Sequence, residues 1–276
     1  MPELPEVETV RRGLGAALQG RRLVRVEQRR ADLRRPFPAG FAQRLTGRRV
    51  VALGRRGKYL TLSLDDGWVL LIHLGMSGRL LVDPPDTALP GPHDHVRFDT
   101  DGGSRVVFQD PRRFGLMDLV PAAQLVDHPL LRHMGPEPLE DGFTPAILAA
   151  ALAGKSGPIK AALLDQTVVA GIGNIYACEA LFRAGIAPVR PAGSLRPARL
   201  ARLVAAIKTV LVEAIAAGGS SLRDHRRPDG ELGYFQHAFA VYDRQDEPCP
   251  GCDCATGIRR IVQSGRSTFY CAKRQR

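Results

Sequence analysis

Pro2 and Glu3 set a ring nitrogen and a carboxylate side by side at one end of the chain. Removal of Met1, which a small second residue favours, leaves Pro2 as an exposed secondary amine. An α-amino group titrates near pH ~8, so a working fraction is neutral and nucleophilic. A primary amine condensing with an aldehyde-like carbon gives a neutral imine, whereas a secondary amine gives a permanently cationic iminium. That cation is an electron sink suited to elimination on a sugar, with Glu3 at hand for protons. Many chains begin Met-Pro to no such end, so the chemistry depends on how the terminus is held.

The other end carries a second chemistry. Cys249, Cys252, Cys254 and Cys271 crowd the last residues, while Cys178 lies alone and reads as a small buried side chain. No charged, apolar and small signal segment opens the chain, so reduced thiols in the cytoplasm are expected. Four clustered thiols there read as a metal site before disulfides.

Between these ends lie shorter motifs. Gly54-Arg55-Arg56-Gly57-Lys58-Tyr59 sets Lys58 just before a strand, and locally it is an ordinary exposed lysine. His73-Leu74-Gly75-Met76-Ser77-Gly78 exposes Met76 among glycines, where an apolar wedge can fill the gap left by an extruded base. Asp110-Pro111-Arg112-Arg113-Phe114-Gly115 offers Arg112 to pair with an orphaned base and Phe114 to wedge the step. Phe114 alone would read as core. Gly171-Ile172-Gly173-Asn174 opens a helix with amides able to approach a phosphate, and Lys155 and Lys160 before it are candidate DNA contacts. A formal charge of +11 and a pI near 10.0 favour a polyanionic partner, although genome-driven arginine usage produces the same figures.

Positioning these groups falls to recognisable elements. Pro5 suits a first helical turn, Glu6 and Glu8 complement the helix dipole, and Val7, Val10, Leu14 and Leu18 recur at helical spacing. The helix is expected to end near Gly13 to Gly20, and its positive end disfavours protonation of the amine. Leu23 to Leu119 reads as short strands, including Leu23–Val26, Arg49–Leu53, Leu60–Leu64, Trp68–Ile72 and Val96–Phe98. Turns such as Asp65-Asp66-Gly67 and Asp101-Gly102-Gly103 separate them, which suggests an antiparallel sandwich. Asp127 to Leu139 looks like a linker, and Leu200, Leu203, Val204, Ile207, Leu211 and Ile215 trace a helical core stripe. Ser220 to Gln236 is a long polar loop, and loops of that length are usually functional or mobile. Near the end, Ile258–Val262 and Arg266–Tyr270 flank a Gln263-Ser264-Gly265 turn. No run of ~18 apolar residues is present, so no membrane helix is expected.

The opening Pro2-Glu3-Leu4-Pro5-Glu6-Val7-Glu8-Thr9 resembles the N-terminus of formamidopyrimidine-DNA glycosylases, bacterial enzymes that excise oxidised purines. The resemblance covers essentially the whole chain. It implies that the Pro2 amine attacks the anomeric carbon, that Glu3 donates protons, and that Lys58 works in the active site, as phosphate anchor or proton shuttle. It further implies that Met76, Arg112 and Phe114 fill the void in the duplex, that His73 and His93 lie near the DNA backbone, and that Asn174 binds phosphate within a helix–two-turns–helix element. Arg266 matches the hairpin arginine that grips phosphates flanking the lesion, and the 220–236 loop matches the family's cover over the extruded base. Endonuclease VIII relatives typically carry glycine where this chain has Leu4.

One departure concerns the metal. The family pattern is Cys-x2-Cys, a sixteen-residue gap, then Cys-x2-Cys, a zinc signature. Here Arg274 holds the last ligand position, and Cys254 is an additional upstream cysteine. Either Cys249, Cys252, Cys254 and Cys271 hold one zinc ion in a rearranged site, or packing of Ile258, Ile261, Val262 and Phe269 holds a degraded one. Cys252 and Cys254, two apart, make a tight bite.

The expected protein is α+β: an N-terminal helix and antiparallel sandwich (1–133), a helical DNA-binding domain (134–240) and a zinc-finger-type hairpin (241–276). Its expected activity is glycosylase and abasic-site lyase action on damaged double-stranded DNA, as a cytoplasmic, nucleoid-associated monomer without nucleotide cofactor. An endonuclease VIII type enzyme for oxidised pyrimidines and a catalytically inactive DNA-binding relative are the alternatives.

Overall fold

The computed structural model describes residues 1–83, 91–221 and 227–276. Helix α1 spans Leu4–Gly13, followed by the short α2, Gly15–Leu18. Val7, Val10, Leu14 and Leu18 face inward and are buried, as the spacing predicts. Among the described residues, eight strands and the short helix α3, Phe41–Leu45, follow. The strands are β1 Leu23–Gln28, β2 Val50–Arg56, β3 Tyr59–Leu64, β4 Trp68–His73, β5 Arg79–Asp83, β6 Asp94–Thr100, β7 Arg105–Gln109 and β8 Leu116–Pro121. They form two four-stranded antiparallel sheets, ordered β1-β6-β7-β5 and β2-β3-β4-β8. In β3 the buried Leu60, Leu62 and Leu64 alternate with half-buried residues, the period expected of a one-sided strand. One core joins both sheets to α1, with Val7, Leu62, Ile72, Phe98 and Phe108 among its buried members.

The later half is helical: α4 Pro145–Leu152, α5 Ile159–Leu164, α6 Asn174–Ala184 and α7 Pro197–Ala216. All six residues of the expected α7 stripe are buried. The terminal hairpin pairs β9, Arg259–Gln263, with β10, Arg266–Tyr270. Ser264 and Gly265 form its two-residue turn with φ of 49° and 72°, the double left-handed geometry that matches strand twist.

Contacts group the chain into two compact units, residues 1–132 with 217–234, and residues 133–216 with 235–276. This differs from the three-part division read from the sequence. The hairpin groups with the helices because Glu179 of α6, fully buried, accepts backbone N–H groups from Ala240, Val241 and Tyr242 at 3.0, 2.9 and 2.9 Å. Cys178 and Phe182 of α6 then share a small core with Val241, Ile258 and Phe269. Residues 217–234 return to the first unit through contacts with α1. Among the described residues, no helix is long and apolar enough to cross a membrane.

Candidate functional site

In the first unit, Pro2 and Glu3 are buried at the start of α1, with Glu3 at its N-cap. Glu6, three residues on, completes a capping box by accepting the Glu3 N–H at 2.8 Å. Glu8 ties the helix to the sheet. It accepts from Arg11 at 2.8 and 2.9 Å and from Arg12 at 2.8 Å, and Arg55 Nε of β2 lies 3.4 Å away. Burial alone would raise the Glu8 carboxyl, but these guanidinium partners outweigh it and hold it down at about 2.

Arg55 also donates to the Gly57 carbonyl at 3.0 Å, fixing the turn that carries Lys58 between β2 and β3. Lys58 is only 6% exposed, against the exposed lysine that its local sequence suggests. The β3–β4 register sets Tyr59 opposite His73, with ring centroids 4.8 Å apart. Burial first, then the charges of Lys58 and Arg34, push the His73 imidazole down to about 4. Its Nδ1 accepts the Gly75 N–H at 3.0 Å, so the neutral ring carries its proton on Nε2. Lys58 and His73, fifteen positions apart, thus share one electrostatic environment.

Two loops meet around Asp110, whose side chain is fully buried. Its Oδ1 accepts from Ser77 Oγ at 2.5 Å and its Oδ2 from the Gly115 N–H at 2.8 Å, while the Arg112 N–H donates to Ser77 Oγ at 3.2 Å. Gly75, with φ of 65°, lies so close that a Cβ would sit 2.3 Å from the Phe114 carbonyl carbon. The result exposes Met76 at 41% and Phe114 at 43%, with the Arg112 guanidinium 4.7 Å from the Phe114 ring. Phe114 is therefore not core. Exposed His93 borders this pair of loops, its carbonyl accepting the Asp110 N–H at 3.0 Å.

In the second unit, the expectation for Lys160 changes. The side chain is fully buried, and its Nζ donates to Asn174 Oδ1 at 2.6 Å, Thr268 Oγ1 at 2.6 Å and Ser267 O at 3.1 Å. A lysine so enclosed supports the helix start and hairpin from behind and cannot meet a phosphate. Asn174 begins α6 and donates to Ser267 O at 2.9 Å and to the Tyr242 hydroxyl at 3.3 Å. Lys155 is exposed, as is Arg266, which leaves the hairpin turn at the start of β10.

The four terminal cysteines converge. Their sulfurs all lie within 4.8 Å of one another, with Cys252 and Cys254 each 3.5 Å from Cys271. Zn–S bonds of ~2.3 Å in a tetrahedron require sulfurs ~3.8 Å apart, so the set fits one zinc ion. The close spacing of Cys252 and Cys254 does not prevent this. Burial would raise the Cys271 thiol, but hydrogen bonds from the Arg274 amide and the other three cysteines bring it down to about 7. Hydrogen bonds with Cys252 and Cys271 push Cys254 up to about 12. Arg274 donates to the Gly251 carbonyl at 3.1 Å and lies 5.0 Å from the Phe182 ring, bracing the knuckle from outside. Of the hairpin's apolar side chains, Ile258 and Phe269 are buried, whereas Val262 is 66% exposed.

Sequence reasoning missed Asp110, Glu179 and the tie from Glu6 to Ser220, whose N–H and Oγ donate at 2.8 and 3.0 Å. An aspartate before proline signals a turn, but nothing local shows a contact across 214 positions. Asp224, His225 and Arg226 of the polar loop fall in 222–226, outside the described residues.

Comparison with known proteins bears on both units. The model for the formamidopyrimidine-DNA glycosylase N-terminal domain matches residues 1–117, and that for the H2TH domain of the same glycosylase matches residues 134–226. Formamidopyrimidine-DNA glycosylases of Rhodospirillum rubrum and Rhodospirillum centenum are 63% and 60% identical, each alignment covering 100% of both chains. Among solved structures, the MutM (Fpg) protein of Thermus thermophilus superposes with a TM-score of 0.88 at 41% identity, covering 99% of this chain and 98% of that one. A Lactococcus lactis Fpg variant in complex with Fapy-dG-containing DNA gives 0.89 at 33% identity, covering 100% of both.

Proposed function

The chain belongs to the formamidopyrimidine-DNA glycosylase family, and from that premise we propose how its residues divide the work of base excision repair. It is a DNA glycosylase for oxidised purines, such as 8-oxoguanine and formamidopyrimidines, with the abasic-site lyase activity typical of its family. With Met1 removed, the Pro2 nitrogen bonds to C1′ of the damaged nucleotide. The glycosidic bond breaks, its electron pair leaves with the base, and a proton joins the departing group. The nitrogen gives up its proton, the C1′–O4′ bond opens with a proton passing to O4′, and the resulting ring-opened iminium acidifies C2′. Loss of a C2′ proton expels the 3′ phosphate, and a second elimination expels the 5′ phosphate. Glu3 carries protons through these steps, and Lys58 and Arg266 stabilise the flanking phosphates.

Met76, Arg112 and Phe114 fill the space that the extruded nucleotide vacates. His73 serves as a neutral Nε2–H donor to the backbone, with His93, Lys155 and Asn174 as further backbone contacts and Lys160 as the brace behind Asn174. Cys249, Cys252, Cys254 and Cys271 would hold zinc, which supplies a structural crosslink and no reactive group. The enzyme works on damaged duplex DNA as a monomer in the cytoplasm, with no nucleotide cofactor.

The observation that carries this reading is the N-terminus, where Pro2 and Glu3 are held by a capped helix that ordinary termini lack. Borohydride trapping on an abasic duplex tests it, with mass spectrometry of the crosslinked peptide. The adduct is expected on the peptide that begins at Pro2. An adduct on a lysine, or undiminished strand scission by chains retaining Met1, would overturn the assignment. Competition between oxidised purine and oxidised pyrimidine duplexes separates it from an endonuclease VIII type preference.

A further inference from the structure

Between Glu179 and Glu213 the sequence holds no aspartate or glutamate, although the chain carries 28 acidic residues. The same stretch contains Arg183, Arg190, Arg196, Arg199, Arg202 and Lys208. Arg183 pairs with Glu213 at 2.6 Å, and Lys208 donates to the Glu140 carbonyl at 3.0 Å. The other four gather at the C-terminal end of α6. Arg202 Nε donates to the Ala184 carbonyl at 3.4 Å. Arg190 Nε donates at 3.3 Å to the main-chain oxygen of Arg276, whose own N–H donates to the Gly185 carbonyl at 3.2 Å. Arg199 stands three positions from both Arg196 and Arg202, the spacing of neighbours on a helix surface. Arg196 and Arg202 are exposed, and Arg190 and Arg199 are half-buried.

The fold gives only part of this cluster a task. Arg202 satisfies an orphan carbonyl at the negative end of α6. Among the described residues, no ion pair or side-chain hydrogen bond holds Arg196 or Arg199. Both lie at the start of α7, whose first turn has no acidic residue and where the helix dipole disfavours cations. Repulsion from Arg190 above all, with Arg202 and Arg196 adding to it, lowers the Arg199 guanidinium from its ordinary value. Arginine-rich composition accounts for the number of these side chains and not for their separation from every acid.

We infer that this cluster is a second DNA-binding surface, taking the phosphates of a duplex segment other than the one that carries the lesion. The inference rests on the glycosylase reading for the first surface, where Asn174 opens α6. The cluster lies at the other end of that helix, about 16 Å away along its 11 residues. Guanidiniums of one sign suit a row of phosphates, each of which releases a counterion when neutralised. A folded protein surface of mixed charge would set cations against some of them. An enzyme that holds two segments at once passes between neighbouring duplexes without first entering solution.

The test measures release of the full chain from a short fluorescent duplex with an abasic-site analogue, against rising concentrations of unlabelled, undamaged duplex. Passage between segments makes the release rate climb with competitor, whereas simple dissociation leaves it flat. The variant is Arg196→Gln with Arg199→Gln, which keeps Arg190 and Arg202 in place. Its competitor-dependent release is expected to fall about tenfold, and the salt slope of that component to shrink by about two. Single-turnover excision on the short duplex should be unchanged, and the melting temperature equal or higher, because repulsion is relieved.

Flat release in the unaltered enzyme, or an equal climb in the variant, overturns the inference. A matching loss of excision on the short duplex also overturns it, by returning the cluster to the lesion-bearing duplex. Polyglutamate replaces the competitor in a parallel arm. If it accelerates release through these arginines and duplex does not, the surface takes an acidic polypeptide and the inference fails. If the unaltered enzyme excises nothing while release still climbs through Arg196 and Arg199, the glycosylase reading fails and the second surface stands.

Discussion

At the level of single side chains, His73 and Glu8 both weaken the fold in acid, each over its own pH window. Burial and nearby cations hold His73 at about 4, below its unfolded value of 6.5, so the fold favours the neutral ring. As pH falls from 6.5 towards 4, the unfolded chain takes up a proton that the folded chain refuses, and stability declines. The His73 ring resonance should titrate with a midpoint near 4, and His73→Gln should lose less stability than the unaltered protein across that window. A midpoint near 6.5 would contradict the buried environment. Glu8, held at about 2 against 4.5, contributes stability that is fully present above 4.5 and lost as pH falls towards 2. Lys160 gives a sharper residue-level test, because it is enclosed by Asn174, Ser267 and Thr268. Lys160→Met should destabilise the protein by about 3 kcal/mol and weaken DNA binding with an unchanged salt slope. Lys155→Ala should reduce that slope by about one unit, the mark of a lost phosphate contact. A reduced slope in Lys160→Met would return that side chain to the DNA surface.

Helices and strands were readable wherever one face is buried. The inward residues of α1 and α7 follow the helical period, and β3 alternates at two, because the core removes those positions from water. Ser264-Gly265 marked the hairpin because its turn demands φ above zero twice. Contacts between loops left no such trace. Met76, Arg112 and Phe114 were singled out together through the family resemblance, but the carboxylate that unites their loops looks like any turn aspartate until Asp110 is seen buried. Asp110→Asn leaves one oxygen to serve both Ser77 and Gly115, and should lower stability by about 2 kcal/mol with slower excision. Ser77→Ala should cost about 1 kcal/mol by the same measure. Identical melting of Asp110→Asn and the unaltered protein would show that the two loops are held by other means.

At the scale of the whole chain, the cysteines record a relocation that counting could pose and only geometry could resolve. Cys254 stands where its sulfur reaches Cys271, while Arg274 is committed to the Gly251 carbonyl and the Phe182 ring. Purified protein should carry one zinc per chain by elemental analysis, and Cys254→Ser should reduce this to a small fraction. The double change Cys254→Ser with Arg274→Cys supplies two Cys-x2-Cys pairs, eighteen residues apart, and should recover the metal. Full zinc content in Cys254→Ser alone would rule Cys254 out as a ligand. The grouping of 217–234 with the first unit was hidden for another reason: its cause is a carboxylate at position 6, and sequence separation gives no sign of such a meeting. The cysteine knuckle also bears on how the chain acquires its metal. Three thiols lie within the six residues 249–254, and the fourth arrives from across the hairpin. Three neighbouring thiols can therefore engage an ion before the hairpin pairs, and bringing Cys271 onto it couples completion of the metal site to folding of the hairpin.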